Sequence, residues 1–212
     1  MRIGILGGTF DPVHIAHLRV CEEVAEEIQL DKVYLIPVHI PPHKGEKSIT
    51  DFSHRLKMLE LAVSTSPILD VLDLEGKMGG ISYTVHTLKE LNRAFGGSHT
   101  IYFIMGMDAF LEIDTWYRYK DIFSLAELVV ISRPGYEIDD ISSYIKTLGV
   151  ECSGISDNTI RLASGRSLIY LPTTHLDISS SHIRKMVKRR RSIRFLVTED
   201  VRRYIEERGL YT

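Results

Sequence analysis

Two histidines near the start of the chain have the types and the spacing to bind an anion. His14 and His17 follow Gly7 and Gly8 within one short segment. Residues three apart on a helix lie on the same side, so both imidazoles should point at whatever the glycine turn holds. Glycines let a ligand approach the backbone amides, and a helix N-terminus adds partial positive charge. The segment therefore predicts a phosphate site.

Two other interpretations of this segment stay open at the level of sequence. Tight βα turns often contain glycines, and the histidines would then be ordinary surface residues. A zinc hydrolase would use both imidazoles as metal ligands, although HxxH is poor zinc spacing by itself and no nearby residue supplies a third ligand. A dinucleotide dehydrogenase is disfavoured because no GxGxxG follows the first predicted strand.

A second polar segment precedes a helix late in the chain. Ser179, Ser180 and Ser181 are consecutive, and Arg184 follows on the first turn or so. Serine hydroxyls and free amides at a positive helix end suit an anion. A serine N-cap would explain one of these residues but not the set, so this segment is a second candidate for phosphate binding.

The remaining candidates lie at the ends of predicted strands or the starts of predicted helices. They are His43 and Lys44 in a proline-rich loop, Tyr83 and Thr84 before a helix, Gly106 and Asp108 after an apolar strand, Trp116, and Arg133. Ligands bind beyond the carboxyl ends of the strands in open α/β sheets, which is where most of these residues fall. Each also has a structural explanation, such as a solvated loop, a helix cap or core packing.

Six segments, taken together and in their order along the chain, resemble the nicotinate-nucleotide adenylyltransferases of the nucleotidylyltransferase superfamily. They are GGTFDPVHIAH, PPHK, SYTVHTL, GMD, RPG and ISSSHIR. Ala16 stands where that family usually has glycine, and Ser181 stands where it usually has threonine. Pantetheine-phosphate adenylyltransferases and cytidylyltransferases share the histidine motif but not PPHK together with SYTxxTL. The resemblance implies transfer of AMP from ATP to nicotinate mononucleotide, with release of pyrophosphate, in NAD synthesis.

The resemblance also implies a role for each candidate residue. Catalysis would use His14, His17, Lys44 and Arg184. ATP would be bound by Gly7, Gly8, Thr9, Phe10, His14, His17, Gly106, Asp108, Arg133, Ser180, Ser181 and Arg184. The mononucleotide would be bound by His43, Lys44, Tyr83, Thr84 and Trp116. Mg²⁺ would accompany ATP, held by phosphate and water rather than by a protein cage.

Alternating strands and helices must position these residues. Short apolar, β-favouring runs predict strands over 2–6, 32–37, 69–74, 100–105, 128–132 and 167–171, and amphipathic runs predict helices over 18–30, 51–64, 85–95 and 197–209. A further helix is expected over 141–148, and no other element is predicted over 136–165. This order predicts an α/β fold, a Rossmann-like doubly wound parallel sheet.

Size and composition predict a single domain over 1–212, whose helical part from about residue 179 completes the ATP site. With 212 residues and 44% hydrophobic residues, the chain can bury a sizeable core. The net charge of −2 gives no overall field for nucleic acid or membranes, and neither is expected as a partner. The run 184–194 has seven basic residues, which favours a solvated helix face, with a nucleic-acid patch as the alternative.

Cellular location and assembly are less constrained by the sequence. Two cysteines, Cys21 and Cys152, cannot form a disulfide framework or a cysteine metal site, which fits a reducing cytoplasm. No run approaches membrane-spanning length and no signal-peptide pattern occurs at the start. A cytoplasmic location is therefore expected, and a homo-oligomer remains open.

Overall fold

A computed structural model describes residues 1–42, 49–133, 135–136, 140–156 and 158–212. An eight-stranded sheet organises them, in the order β3-β2-β1-β4-β5-β8-β7-β6. The strands are β1 (Arg2–Gly8), β2 (Lys32–Pro37), β3 (Leu69–Val71), β4 (Thr100–Gly106), β5 (Glu127–Ile131), β6 (Cys152–Ser156), β7 (Thr159–Leu162) and β8 (Ser167–Leu171). Strands β1 to β5 and β8 pair in parallel, which confirms the predicted doubly wound fold.

Helices cover both faces of this sheet. They are α1 (Ile15–Ile28), α2 (Phe52–Val63), α3 (Leu74–Met78), α4 (Thr84–Phe95), α5 (Met107–Leu111), α6 (Tyr119–Leu125), α7 (Ile141–Thr147), α8 (Ser180–Lys188) and α9 (Glu199–Glu207). A short 3₁₀ turn, Ile113–Thr115, lies between α5 and α6. Among the residues described, no helix combines the length and the apolar character that crossing a bilayer requires.

The core consists of two clusters, one on each face of the sheet. On one face, residues of α1, α2, α8 and α9 pack against β2 and alternate positions of β1 and β4. On the other face, α4, α5, α6 and α7 pack around Ile3, Ile5 and Phe103. Because side chains alternate along a strand, β4 contributes to both clusters, as a strand covered on both faces must.

Strand order reverses between β1 and β4, and this switch point positions the site. β1 leads through α1 to β2 on one side, whereas β4 leads to β5 and β8 on the other. The loops that leave the carboxyl ends of β1 and β4 therefore diverge and leave a crevice between them. Gly7 and Gly8 end one of these strands and Gly106 ends the other.

The structure differs from the sequence prediction at several elements, among them α6, which was not predicted. The third strand ends at Val71, and Leu74 begins a helix that carries Glu75 to within 2.6 Å of the Thr87 hydroxyl. The first helix begins at Ile15 rather than at residue 18, because His14 serves as its N-cap. The antiparallel strands β6 and β7, in a segment without a predicted strand, extend the sheet beyond β8.

Candidate active site

A cleft of about 1430 Å³ opens at the switch point of the sheet. The end of β1, the start of α1, the end of β4 and the start of α8 contribute to its lining, together with residues near Trp116. Pockets for one small ligand usually enclose about 300 to 1,000 Å³. The cleft therefore has room for two ligands side by side.

The two histidines lie together in this cleft. Their rings stack with centroids 3.6 Å apart and planes inclined by 21°. The backbone amide of His14 donates to Nδ1 of His17 at 3.2 Å. Because Nδ1 accepts that bond, the neutral ring of His17 carries its proton on Nε2. His17 is thus prepared to donate a hydrogen bond from Nε2.

Burial keeps both imidazoles neutral. The pKa of His14 is lowered from 6.5 to about 4, first by burial and second by the positive charge of Arg133. The pKa of His17 is lowered well below 6.5 by burial, then by His14 and by Arg133. At neutral pH the unliganded pair therefore offers N–H donors without positive charge. An anion bound between these groups would offset the effect of Arg133 and raise both pKa values.

The glycine turn owes its shape to close packing rather than to glycine dihedrals. Among the described residues, Gly7 and Gly8 are absent from the set with positive φ, whereas Phe10 has a φ of 48°. A Cβ on Gly8 would lie 2.9 Å from Cζ of Phe10, so glycine is needed there to admit this ring. The ring of Phe10 in turn meets His17 edge to face, with centroids 5.0 Å apart. The turn thus supports the histidine pair directly.

The serine-rich start of α8 faces the same loop. Ser179 is the N-cap, and its hydroxyl accepts from the amide of His182 at 3.3 Å. The Ser180 hydroxyl donates to the carbonyl of Pro12 at 2.8 Å, and Arg184 donates to the carbonyl of Asp11 at 2.6 Å. These bonds join the two predicted phosphate-binding segments across one cleft, and all three serines and Arg184 line it.

The residues predicted after β4 and β5 also line the cleft. Asp108 is in the first turn of α5, and its carboxylate is 3.4 Å from Nε of Arg133. A Cβ on Gly106 would come within 3.0 Å of the Asp108 side chain, so the carboxylate folds back over this glycine. Both charged side chains are partly exposed, so their mutual attraction is weak and each is available to a ligand.

The predicted mononucleotide residues are only partly covered by the structure. Tyr83, Thr84 and Trp116 line the cleft, and the Trp116 ring packs edge to face on Phe103. His43 and Lys44 lie outside the described residues. The proposed zinc alternative gains no support, since no group of three or more His, Cys, Asp or Glu residues in the described ranges is arranged to hold a metal.

Two side chains that support the site, Arg55 and Tyr211, were not identified from the sequence. Arg55 is 1% exposed, and its guanidinium donates to the carbonyls of Thr9, Val38, His39 and Thr50. Tyr211 donates to Asp11. The periodicity of α2 contained a signal for Arg55, because the residues buried on it are Arg55, Met58, Leu59, Ala62 and Val63. An arginine in phase with such a stripe must find partners inside the fold.

Comparisons with known proteins agree with this geometry. The model of the cytidylyltransferase-like family matches residues 5–186. A similar fold occurs in the structure of Plasmodium falciparum nicotinic acid mononucleotide adenylyltransferase complexed with APC. The TM-score is 0.73 and the sequence identity is 20%, and the matched region covers 99% of this chain and 96% of the P. falciparum chain. Fold and cleft therefore define a nucleotidyltransferase of the cytidylyltransferase-like class.

Two curated relatives make the family more specific. A protein of Geotalea daltonii named "Probable nicotinate-nucleotide adenylyltransferase" is 41% identical, with 100% of this chain and 98% of the relative covered. A protein of the same name from Geobacter metallireducens is 43% identical, with coverage of 100% and 99%. The chain belongs to the nicotinate-nucleotide adenylyltransferase family.

Proposed function

We propose that the cleft transfers AMP from ATP to nicotinate mononucleotide, giving nicotinate adenine dinucleotide and pyrophosphate. One observation carries most of the weight: the histidine pair and the serine-rich start of α8 line the same cleft, joined by the 2.6 Å bond from Arg184 to the carbonyl of Asp11. These donors suit phosphates. The cleft is also large enough for a second nucleotide beside the first.

The reaction needs no nucleophile from the protein. An oxygen of the mononucleotide phosphate forms a bond to the α-phosphorus of ATP. The bond between this phosphorus and the bridging oxygen breaks, and its electron pair leaves with pyrophosphate. Catalysis then depends on bringing two anions together and on stabilising the charge that grows on the α-phosphoryl oxygens and the leaving group.

We assign His17 to the α-phosphate, through its Nε2 proton. Its Nδ1 is occupied by the amide of His14, which fixes the direction of Nε2. His14, Ser180, Ser181 and Arg184 would contact the phosphate chain, and Lys44 would join them. Donors fixed before the substrate arrives need no reorganisation in the transition state, which is why such preorganised groups accelerate phosphoryl transfer.

The two nucleosides would occupy opposite ends of the cleft. We assign the nucleoside of ATP to the end where Asp108 and Arg133 lie, with Gly106 and the turn Gly7–Gly8–Thr9–Phe10 close to its ribose and phosphates. The pyridine ring would stack on Trp116, with Tyr83 and Thr84 beside it. Residues His43 and Lys44 would contact the same mononucleotide. This arrangement brings the two phosphates together at the histidine pair.

A divalent cation is the general cofactor of nucleotidyl transfer from ATP, and we propose Mg²⁺. In the described ranges the cleft near the histidine pair carries imidazoles, hydroxyls and a guanidinium, which suit anions. Its carboxylates, which include Asp11 and Asp108, belong to no group of three or more residues arranged to hold a metal. The part of the chain that the structure describes thus forms no cage of carboxylates, and the ion would be held by phosphates and water. When bound with ATP, it would screen the triphosphate charge.

The domain, partners and location follow from the same arrangement. We propose that 1–212 act as one nucleotidylyltransferase domain, in which the part from about residue 179 completes the ATP site through Ser180 and Arg184. ATP and nicotinate mononucleotide are the proposed partners, without nucleic acid or membrane, and a homo-oligomer remains open. A cytoplasmic location is consistent with Cys21 and Cys152, which are both free thiols.

The test uses the purified chain, Mg²⁺, and either ATP or CTP with either nicotinate or nicotinamide mononucleotide. Pyrophosphate release and dinucleotide formation should require ATP, and kcat/KM should be higher for the nicotinate substrate. A preference for CTP would contradict the assignment to ATP. Equal or higher kcat/KM with the amide would contradict the proposed second substrate, and no turnover with any pair would refute the function.

A further inference from the structure

The loop before the histidines is held by donors from distant parts of the chain. Arg55 donates to the carbonyl of Thr9 at 2.9 Å, and Arg184 and Ser180 donate to the carbonyls of Asp11 and Pro12. These bonds hold the main chain of the loop. Tyr211 is different, because its hydroxyl reaches the side chain of Asp11, with a distance of 2.7 Å to Oδ1.

Asp11 depends on such donors because its carboxylate is buried. The residue is 3% exposed. Its Oδ2 accepts from the amide of Thr50 at 3.3 Å and lies 3.8 Å from Arg184. Both of those contacts are longer than the 2.7 Å bond from Tyr211. Burying a carboxylate is costly unless its oxygens are hydrogen-bonded, so the hydroxyl of Tyr211 is the closest support of this side chain.

Tyr211 is itself held in an unfavourable backbone conformation. Its φ is 66°, in the left-handed region that side chains other than those of glycine, asparagine and aspartate rarely adopt. The ring packs beside the core cluster that contains Met58, while the hydroxyl points at Asp11. A strained residue persists when surrounding contacts require it, and such residues are concentrated at functional sites.

Tyr211 does not itself line the cleft formed by the described residues, but its hydrogen-bond partner Asp11 does. Asp11 stands three residues before His14, whose amide in turn orients His17. A shift of the carboxylate would be passed along this short loop to both imidazoles. Displacements of about 1 Å in a catalytic group can cost about 10²-fold in rate.

We propose that Tyr211 is a positioning residue for the histidine pair, acting through the Asp11 carboxylate. The inference rests on the proposed function, since it assigns Tyr211 to the same transfer of AMP. It adds a residue that lies 200 positions from Asp11 in the sequence and outside the cleft. It also supplies a hydrogen-bond donor to a buried acid beside the phosphate-binding loop.

The experiment compares Tyr211→Phe with Tyr204→Phe in the full chain. Tyr204 is a matched control, because its hydroxyl bonds to Nδ1 of His54 at 2.8 Å and, among the described residues, forms no hydrogen bond with the loop. We expect Tyr211→Phe to lower kcat about tenfold, with the KM for nicotinate mononucleotide unchanged. Tyr204→Phe should keep kcat within twofold. The melting temperature of each variant reports any general loss of stability.

A double-mutant cycle with Asp11→Ala separates positioning from packing. If Tyr211 acts through the carboxylate, then adding Tyr211→Phe to Asp11→Ala, which removes the acceptor of the Tyr211 hydroxyl, should lower kcat no further. Equal kcat losses for the two tyrosine variants, or additive losses in the cycle, would overturn the inference. If the wild-type chain fails to join ATP to the mononucleotide, the proposed function fails instead, so the two failures are distinguishable.

Discussion

Replacing His17 with asparagine should remove one transition-state donor while leaving the start of α1 intact. The asparagine amide occupies the place of the Nδ1 edge of the ring, so its oxygen can still accept from the amide of His14, as Nδ1 does at 3.2 Å. The shorter side chain has no atom at the position of Nε2. The substitution therefore separates the proposed catalytic proton from the local structural bond.

The contacts that the substitution removes set the expected size of its effects on kcat and on the free energy of unfolding. Loss of a single preorganised donor to a developing oxyanion lowers kcat by about 10² to 10³-fold, or about 2.7 to 4 kcal/mol. The retained bond to His14 limits the structural damage. Loss of the ring contacts to His14 and Phe10 should lower the free energy of unfolding by about 1 kcal/mol.

The assay follows pyrophosphate release at saturating ATP and nicotinate mononucleotide, with urea unfolding measured in parallel. His17→Gln is the matched variant, because its longer amide can reach the place of Nε2 and should retain more activity than His17→Asn. Wild-type turnover by His17→Asn would refute the assigned role. The role would also be refuted if the activity of His17→Asn fell only in proportion to the fraction of folded protein.

Three further predictions concern the supports of the cleft. Arg55→Met should lower the free energy of unfolding by about 3 kcal/mol or more, since it leaves four partly buried carbonyls without this donor. The exposed Arg93→Met should change the free energy of unfolding by less than about 0.5 kcal/mol in the same urea titration. Trp116→Leu should raise the KM for nicotinate mononucleotide about tenfold more than the KM for ATP in initial-rate measurements; equal increases would contradict the placement of the pyridine ring. Folding lowers the pKa of His14 from 6.5 to about 4, so the unfolded chain binds more protons between these values and stability should fall as the pH falls through this window. His14→Asn should remove about 3 kcal/mol of that fall in unfolding titrations from pH 7 to pH 4, and an unchanged acid dependence would contradict the burial of a neutral His14.

Much of the fold could be predicted because local sequence patterns indicate its strands and helices. Strand β2 and strand β8 have the predicted ends, since each is a short apolar run between turn residues. The region 152–162 could not be predicted in the same way. Its strands β6 and β7 have few buried residues, and they depend on pairing with the edge at β8 rather than on their own periodicity.

The site was predictable to the extent that its residues lie in contiguous segments. His14 and His17 lie in one segment and Ser180 and Arg184 in another, and parallel strands bring both to one edge of the sheet. The support of Asp11 by Tyr211 joins residues 200 positions apart. Neither periodicity nor local spacing carries information about such a pair, so it emerges only from the packed structure.

The stereochemistry at the α-phosphorus tests the central claim most directly. ATP in which sulfur replaces one non-bridging oxygen of the α-phosphate makes this phosphorus chiral. One diastereomer would be turned over with nicotinate mononucleotide, and the configuration at phosphorus in the dinucleotide would be determined. A single in-line attack between two nucleotides held in one cleft predicts inversion. Retention of configuration would require a covalent intermediate on the protein and would contradict the account.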